Sequence, residues 1–457
     1  MSDVIEELAR IVGAEHVDAE ERAGEDYTHD ECLTVAPVTP AAVVRPASAT
    51  EVAAVVRWAH DHRVPVTARG SATGMSGACV PVPDGIVVGF DRMDAIVEID
   101  TDNHVAIVQP GVTLARLDEA TAGHGLVYPV FPGENSASLG GNVATNAGGM
   151  RAVKYGVTRH HVLGLEAVLP TGEIIRTGGR YVKSSTGYDL TQLIVGSEGT
   201  LALVTEAILK LHPRLAHRST LLAPFPTLDA VSAAVPRIVG SGMNPLVLEY
   251  LDMLTMEAAT AAVGLDLGMP DAVRQAALAY LVVVLESTHE DRLEADVERA
   301  ASLMSDLGAI DVYVLPPQAA EELITARERA FFVAKAHGAD DIVDVVVPRS
   351  AIPGYLAAVG TVAQEHQALV AGCGHAGDGN VHLSVFQPDP SRREALLHAL
   401  FELGMRMGGA ISGEHGLGRA KRSHFLALED PAKIALMRRI KAAFDPHGIL
   451  NPGVMLD

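Results

Sequence analysis

Residues 374–385, GHAGDGNVHLSV, set two histidines, an aspartate and an asparagine among glycines, and residues 412–419, SGEHGLGR, box Glu414 and His415 in the same way. In NVHLSV polar and apolar residues alternate, so His382 and Ser384 share one strand face opposite Val381, Leu383 and Val385. His375 lies just upstream across a glycine turn, and its ring can swing to the same side. His375, His382 and Glu414 together make a three-ligand set with an open position, the arrangement that a Lewis-acid metal needs. Taken singly, each is equally well explained as a structural residue. His415 is suited to taking a proton near neutral pH. The plain alternative is that it only supports Glu414.

Three small-residue segments suggest a large anionic ligand. ARGSATGMSG (68–77) interleaves Gly70, Gly74 and Gly77 with Ser71, Thr73 and Ser76, so backbone N–H groups and hydroxyls can converge on a diphosphate. SASLGGNVATNAGG (136–149) starts a helix with small residues, and GSEGTL (196–201) follows an apolar run. Each alone reads equally well as an ordinary turn; three in one region point to one cofactor wrapped by several loops. GCGHAG (372–377) matches a dinucleotide fingerprint, but a strand-like VHLSVF follows where a nucleotide fold needs a helix.

The elements that must hold these loops fall into two rhythms. Up to about Pro213, short β-like runs (GIVVGF, AIVEID, VAIVQPG) alternate with helical segments, and VLGLEAVLPTGEIIRTGG reads as a hairpin turned at Thr171–Gly172. From about Ser219, strands STLLAPF, PLVLEY, AYLVVVLES and DVYVLP alternate with helical patterns at 227–240, 252–263 and 289–307, which fits a sheet covered by helices. The chain has 457 residues, ample for two or three domains. A formal net charge of -22 argues against nucleic acid as a partner. Cys32, Cys79 and Cys373 form no CxxC pair, and the acidic start MSDVIEELARIVG has no signal-peptide pattern, so a reduced cytoplasmic setting is expected, with peripheral membrane association left open. No apolar run reaches membrane-spanning length.

Taken in order, ARGSATGMSG, SLGGNVATNAGG, KYGVTRHHVLGLEAVLPTG, STGYDL and GSEGTL resemble the FAD-binding domain of the vanillyl-alcohol-oxidase superfamily. GHAGDGNVH, SGEHGLGR and FDPHGILNPG are similar to its D-2-hydroxyacid dehydrogenase branch, which holds D-lactate dehydrogenases, the glycolate oxidase flavin subunit and D-2-hydroxyglutarate dehydrogenase. The resemblance implies an α+β fold: a two-part FAD-binding domain over 1–215, an antiparallel-sheet cap over 216–410, and a segment, 411–457, returning to the FAD domain. It implies FAD contacts from Arg69, Gly70, Ser71, Ala72, Thr73, Gly74, Ser76 and Gly77. Further contacts fall to Pro132, Gly133, Glu134, Ser138, Gly140, Gly141, Asn142, Thr145, Asn146 and Gly149, and to Gly196, Glu198, Gly199, Val204 and Asn451. FAD is expected to be non-covalent, because the loop 69–78 has no His, Cys or Tyr and Cys79 reads as a small packed residue.

The same resemblance places a divalent metal, zinc before manganese or iron, on His375, His382 and Glu414. It makes His415 the base and Arg327, in ITARERAFF, the partner of the substrate carboxylate; the plain alternative for Arg327 is a solvated helix charge. Asp378 and Asn380 read as turn formers and Lys421 as a surface cation. The implied reaction passes hydride from a D-2-hydroxy acid to flavin N5. Where the 2-hydroxyglutarate enzymes carry a threonine, a lysine and an asparagine, this chain places Phe331, Ile342 and Ser384, which favours a D-lactate-like or longer apolar monoacid unless Arg419 or Lys421 replaces the lysine. The electron acceptor stays open among a quinone, an electron-transfer flavoprotein and a cytochrome, and a homodimer is one open assembly. The rivals are D-2-hydroxyglutarate dehydrogenase, a non-redox transferase of the same flavin fold, and a flavin subunit that works only with a redox partner.

Overall fold

The computed structural model describes residues 2–456. Helix Ala49–His62 shows how local signals set boundaries. The Ser48 side chain accepts from Glu51 N at 3.2 Å, the Glu51 carboxylate accepts from Ala47 N at 2.7 Å, and Arg63 ends the helix in the left-handed region at φ 55°. Val52, Val55, Val56 and Ala59 bury its apolar stripe against a four-stranded sheet. That sheet runs Val17–Ala19, Ala42–Val44, Ile86–Gly89, Val66–Arg69, with its last three strands parallel.

A five-stranded antiparallel sheet follows, in the order Ile96–Asp100, Val105–Val108, Leu203–Lys210, Val162–Val168, Ile174–Gly178. The last two strands are the hairpin expected at Thr171–Gly172.

A seven-stranded sheet carries the chemistry. Its order is Tyr313–Val314, His217–Phe225, Ala279–Ser287, Val247–Asp252, Leu369–His375, Asn380–Phe386, Asp341–Val346. Strand–helix alternation usually signals a parallel sheet, yet every neighbouring pair here is antiparallel. One face packs Leu248, Tyr250, Val343, Val345, Val381, Leu383 and Val385 into the main core beneath helices that include Ile352–Glu365 and Pro390–Arg406. The period of two therefore turns Glu249, Asp344, Cys373, His375, His382 and Ser384 to the opposite face.

The C-terminal segment ties this sheet to the first. Asp344 forms an isolated bridge with Ser412, and Leu450 forms one with Val66, next to which Asn451 N donates to Val66 O at 2.8 Å. Between them Leu417 N and Gly418 N each donate to the buried Glu198 carboxylate at 2.8 Å. Only glycine suits position 418: its φ is 51°, and a Cβ there would meet Ser76 O at 2.0 Å.

Candidate active site

The antiparallel register sets Cys373 opposite His382 and His382 opposite Asp344. His375, two residues on from Cys373, extends the same face. Glu414 enters from the C-terminal segment, and its Oε1 lies 3.2 Å from His375 Nε2 and 3.1 Å from His382 Nε2. The two histidine rings stand edge to face with centroids 4.8 Å apart. Ligand atoms of His375, His382 and Glu414 all fall within 4.8 Å of one another, so the three predicted ligands are brought together. A second such group, Asp344, His382 and His415, shares His382.

These side chains pair with one another as an ion-pair network. Burial alone would favour a neutral Glu414, but the two imidazoles outweigh it and hold the carboxyl well below its ordinary range. Burial likewise opposes charge on His375, and Glu249 and Glu414 overcome it, raising that imidazole well above its usual value. A divalent cation in this place would do the work of the imidazole proton, and neutral imidazole nitrogens with a carboxylate are a donor set that suits one.

Two carboxylates absent from the sequence expectations organise the cluster. Glu249, fully buried, takes His375 Nδ1 at 2.5 Å on Oε1 and Arg327 Nε at 2.9 Å on Oε2. Asp344, also fully buried, accepts through Oδ2 the backbone N–H of Gly413, Glu414 and His415 at 3.1, 3.1 and 2.9 Å and the Ser412 hydroxyl at 2.6 Å. Its Oδ1 accepts Asn380 Nδ2 at 2.7 Å. Asp344 therefore shapes the SGEHG turn. The available signal was strand alternation, since PLVLEY and DIVDVVV each put one acid on the face opposite their core residues.

His415 stacks on His382 with ring centroids 5.2 Å apart, and its buried Nδ1 has no hydrogen-bond partner. Burial pushes its pKa down to about 4 against the pull of Asp344, which leaves a neutral imidazole. Arg327 is buried, not a solvated helix charge. Its Nη2 sits 2.9 Å from Glu249 Oε2, off the line needed for a hydrogen bond, so the donor is unfilled. Lys421 is a correction to the expected surface cation. It is buried, with Nζ 3.7 Å from Asp344 Oδ2 and 3.4 Å from Gly416 O.

Arg327, Glu328, His375, His382, Glu414 and His415 line a cavity of about 410 Å³. Leu254, Phe331, Ile342, Leu369 and Phe386 give it an apolar side, and Ser384 and His337 also belong to its lining. Arg419 donates instead to Val80 O and Pro452 O, and neither it nor Lys421 lines the cavity.

Glu414 and His415 also face a neighbouring hollow formed by Gly70, Ser71, Ala72, Thr73, Gly74, Ser76, Pro132, Glu134, Ser138, Gly141, Asn142 and Thr145. An adjoining hollow shares Gly70, Gly141 and Thr145 and adds Arg69, Gly140, Glu198, Gly199, Val204 and Asn451. Gly133 faces the 410 Å³ cavity, whereas Gly77, Asn146, Gly149 and Gly196 line none of the three. Asn146 instead ends helix Leu139–Thr145, and its Oδ1 accepts from Arg159 N at 2.9 Å. Asn451 Nδ2 donates to Ala78 O at 2.9 Å and Glu198 O at 2.8 Å, leaving buried Oδ1 without a partner. Small residues, hydroxyls and this unfilled acceptor make the paired hollows suitable for an extended cofactor with polar and flat parts. Cys79 lines both, with a thiol that burial pushes up to about 12.

Comparison with known proteins agrees with this arrangement. An FAD binding domain matches residues 40–178, and the C-terminal domain of FAD linked oxidases matches residues 214–455. An uncharacterized FAD-linked oxidoreductase of Mycobacterium tuberculosis is 56% identical over 455 residues, covering 100% of this chain and 99% of its own. A D-lactate dehydrogenase of Archaeoglobus fulgidus is 39% identical over 414 residues, 90% of each chain. A D-2-hydroxyglutarate dehydrogenase of Stutzerimonas stutzeri is 31% identical over 463 residues, 98% of each. Among solved structures, 4-ethylphenol oxidase from Gulosibacter chungangensis superposes with a TM-score of 0.80 at 20% identity, covering 99% of this chain and 96% of that one.

Proposed function

The chain belongs to the FAD-linked oxidases of vanillyl-alcohol-oxidase fold, and from that premise we propose that it oxidises a D-2-hydroxy monoacid to the 2-oxo acid. The observation that carries the reading is the meeting of an unfilled Arg327 donor, the His375–His382–Glu414 set and a neutral His415 in one cavity that adjoins the cofactor hollow. Arg327 binds the substrate carboxylate through a charge-assisted hydrogen bond. Glu249 keeps Arg327 and the imidazole of His375 in fixed relation. His415 takes the hydroxyl proton as the α-carbon gives up hydride. The paired hollows would hold FAD, which would supply the hydride acceptor, and His375, His382 and Glu414 would hold a divalent ion, which would supply Lewis-acid polarisation of the hydroxyl. Imidazole nitrogen with carboxylate oxygen suits zinc, with manganese and iron as competitors.

The substituent on C2 faces the apolar wall. A second carboxylate there would meet Phe331, Ile342 and Phe386, with Glu328 also on the cavity wall, and apart from the imidazole of His337 it would find no cation to pair with. A methyl group would leave most of the cavity unfilled, so a longer apolar chain gains burial worth about 0.8 kcal/mol per methylene, or roughly fourfold in kcat/KM. The test compares kcat/KM for D-lactate, D-2-hydroxyhexanoate and D-2-hydroxyglutarate with an artificial dye as acceptor. The proposal expects the apolar monoacid to lead and the diacid to trail.

A further inference from the structure

A further cavity, of about 300 Å³, lies beside the linker between the cofactor region and the seven-stranded sheet. Arg151, Arg214, Arg218 and Glu286 line it, and none of Arg327, His375, His382, Glu414 or His415 does. Arg214 is satisfied, pairing with Asp118 at 2.5 Å and donating to Leu126 O at 3.2 Å. One oxygen of Glu286 is taken by Lys154 Nζ at 2.8 Å and the Tyr155 hydroxyl at 2.9 Å. Arg218 reaches the other oxygen only at 3.6 Å, without a hydrogen bond.

The Arg151 guanidinium has neither an ion pair nor a hydrogen bond among the described residues. Its partner is the face of Phe131, with the guanidinium carbon 4.7 Å from the ring centroid. Burial and then Arg218 both pull its pKa down. Glu328 lies within electrostatic reach of Arg151 but forms no ion pair with it. The cavity lining carries three arginines, Arg151, Arg214 and Arg218, against two carboxylates, Asp118 and Glu286, of which Glu286 is already engaged by Lys154, a local positive surplus in a chain of net charge -22. Two guanidinium forks with open donors, close enough to repel, match the geometry of an oxyanion better than that of any neutral ligand.

We propose that this cavity is a binding site for a small oxyanion, a carboxylate or a phosphate, held between Arg151 and Arg218. Arg151 comes from the cofactor region and Arg218 from the first long strand of the seven-stranded sheet, so the anion bridges the two. Phe131, under Arg151, precedes the Pro132–Gly133 turn that borders the substrate cavity, which places the anion one residue layer from the active site.

The test is calorimetric titration of the FAD-loaded protein with sodium phosphate and with sodium malonate, at fixed ionic strength in chloride. One saturable site per chain is expected for at least one probe, and the tighter of the two tells phosphate from carboxylate. Arg151→Gln and Arg218→Gln should each weaken it at least about tenfold. Arg327→Met, which disables the substrate's own anion partner, should retain it, as should the exposed control Arg237→Gln. If Arg151→Gln fails to hold FAD, Arg218→Gln carries the test, because that side chain is 53% exposed. Absence of saturation by both probes overturns the proposal, as does wild-type affinity in the arginine variants that hold FAD.

Discussion

Glu249 Oε1 lies 2.5 Å from His375 Nδ1, so the imidazole is fixed with Nε2 turned toward Glu414 at 3.2 Å. A carboxylate behind a ligating histidine orients the ring and raises its basicity. Glu249→Gln keeps the shape but loses the charge. It should lower metal affinity and kcat/KM by about 10- to 100-fold while FAD stays bound. Metal analysis beside the flavin spectrum checks both halves.

Arg327 makes a different demand. Arg327→Met removes the carboxylate partner and leaves Glu249 buried with one partner fewer, which should cost about 2–5 kcal/mol, or roughly 30- to several-thousand-fold in kcat/KM. Arg327→Lys should rescue little, because an ammonium cannot serve both Glu249 and the substrate with the guanidinium's geometry. Steady-state kinetics on a single D-2-hydroxy acid decides this.

Glu328 sits beside Arg327 on the cavity wall, and burial pushes its carboxyl up to about 7. It is neutral below that pH and gains negative charge above it. Affinity for an anionic substrate should therefore fall as pH rises through about 7, by roughly three- to tenfold, and Glu328→Gln should flatten the profile. Stability follows the same sign. The folded state holds this proton more tightly than the unfolded one, so stability falls as pH rises from about 4.5 to about 7, and that loss should be missing in the variant.

Filling the apolar wall should separate substrates by size. Ala258→Phe and Ala334→Phe project into the cavity and should lower kcat/KM for D-2-hydroxyhexanoate by about tenfold or more, with D-lactate changed by less than about threefold. A parallel loss for both would place the side chains elsewhere.

FAD should be released intact by acid. Cys79 is the nearest thiol to the glycine loop, but burial keeps it protonated and unreactive, with a pKa of about 12. Yellow flavin in the supernatant after precipitation, and none in the washed pellet, is the expected result.

The loops were readable from sequence because their signals are local. Gly70, Ser138 and Gly141 meet around one hollow, and their small size and hydroxyls are visible in any short window. His382 was placed by alternation alone, and its face agrees with the observed strand. The supports were not readable, because strand order is a long-range property. Glu249 reaches His375 only because Val247–Asp252 pairs with Leu369–His375, far away in the chain. Lys421 reads from sequence as a surface cation, but it is buried beside Asp344 and the turn that this acid holds.

The central claim is met most directly by anaerobic mixing of the FAD-loaded protein with an excess of a D-2-hydroxy monoacid while the oxidised flavin band is followed. The account predicts that D-lactate and D-2-hydroxyhexanoate bleach the band with stoichiometric 2-oxo acid, that the L enantiomers do not, and that His415→Asn abolishes bleaching with FAD retained. A flavin that stays oxidised with every D-2-hydroxy monoacid tried, in protein shown to hold both FAD and metal, would contradict it.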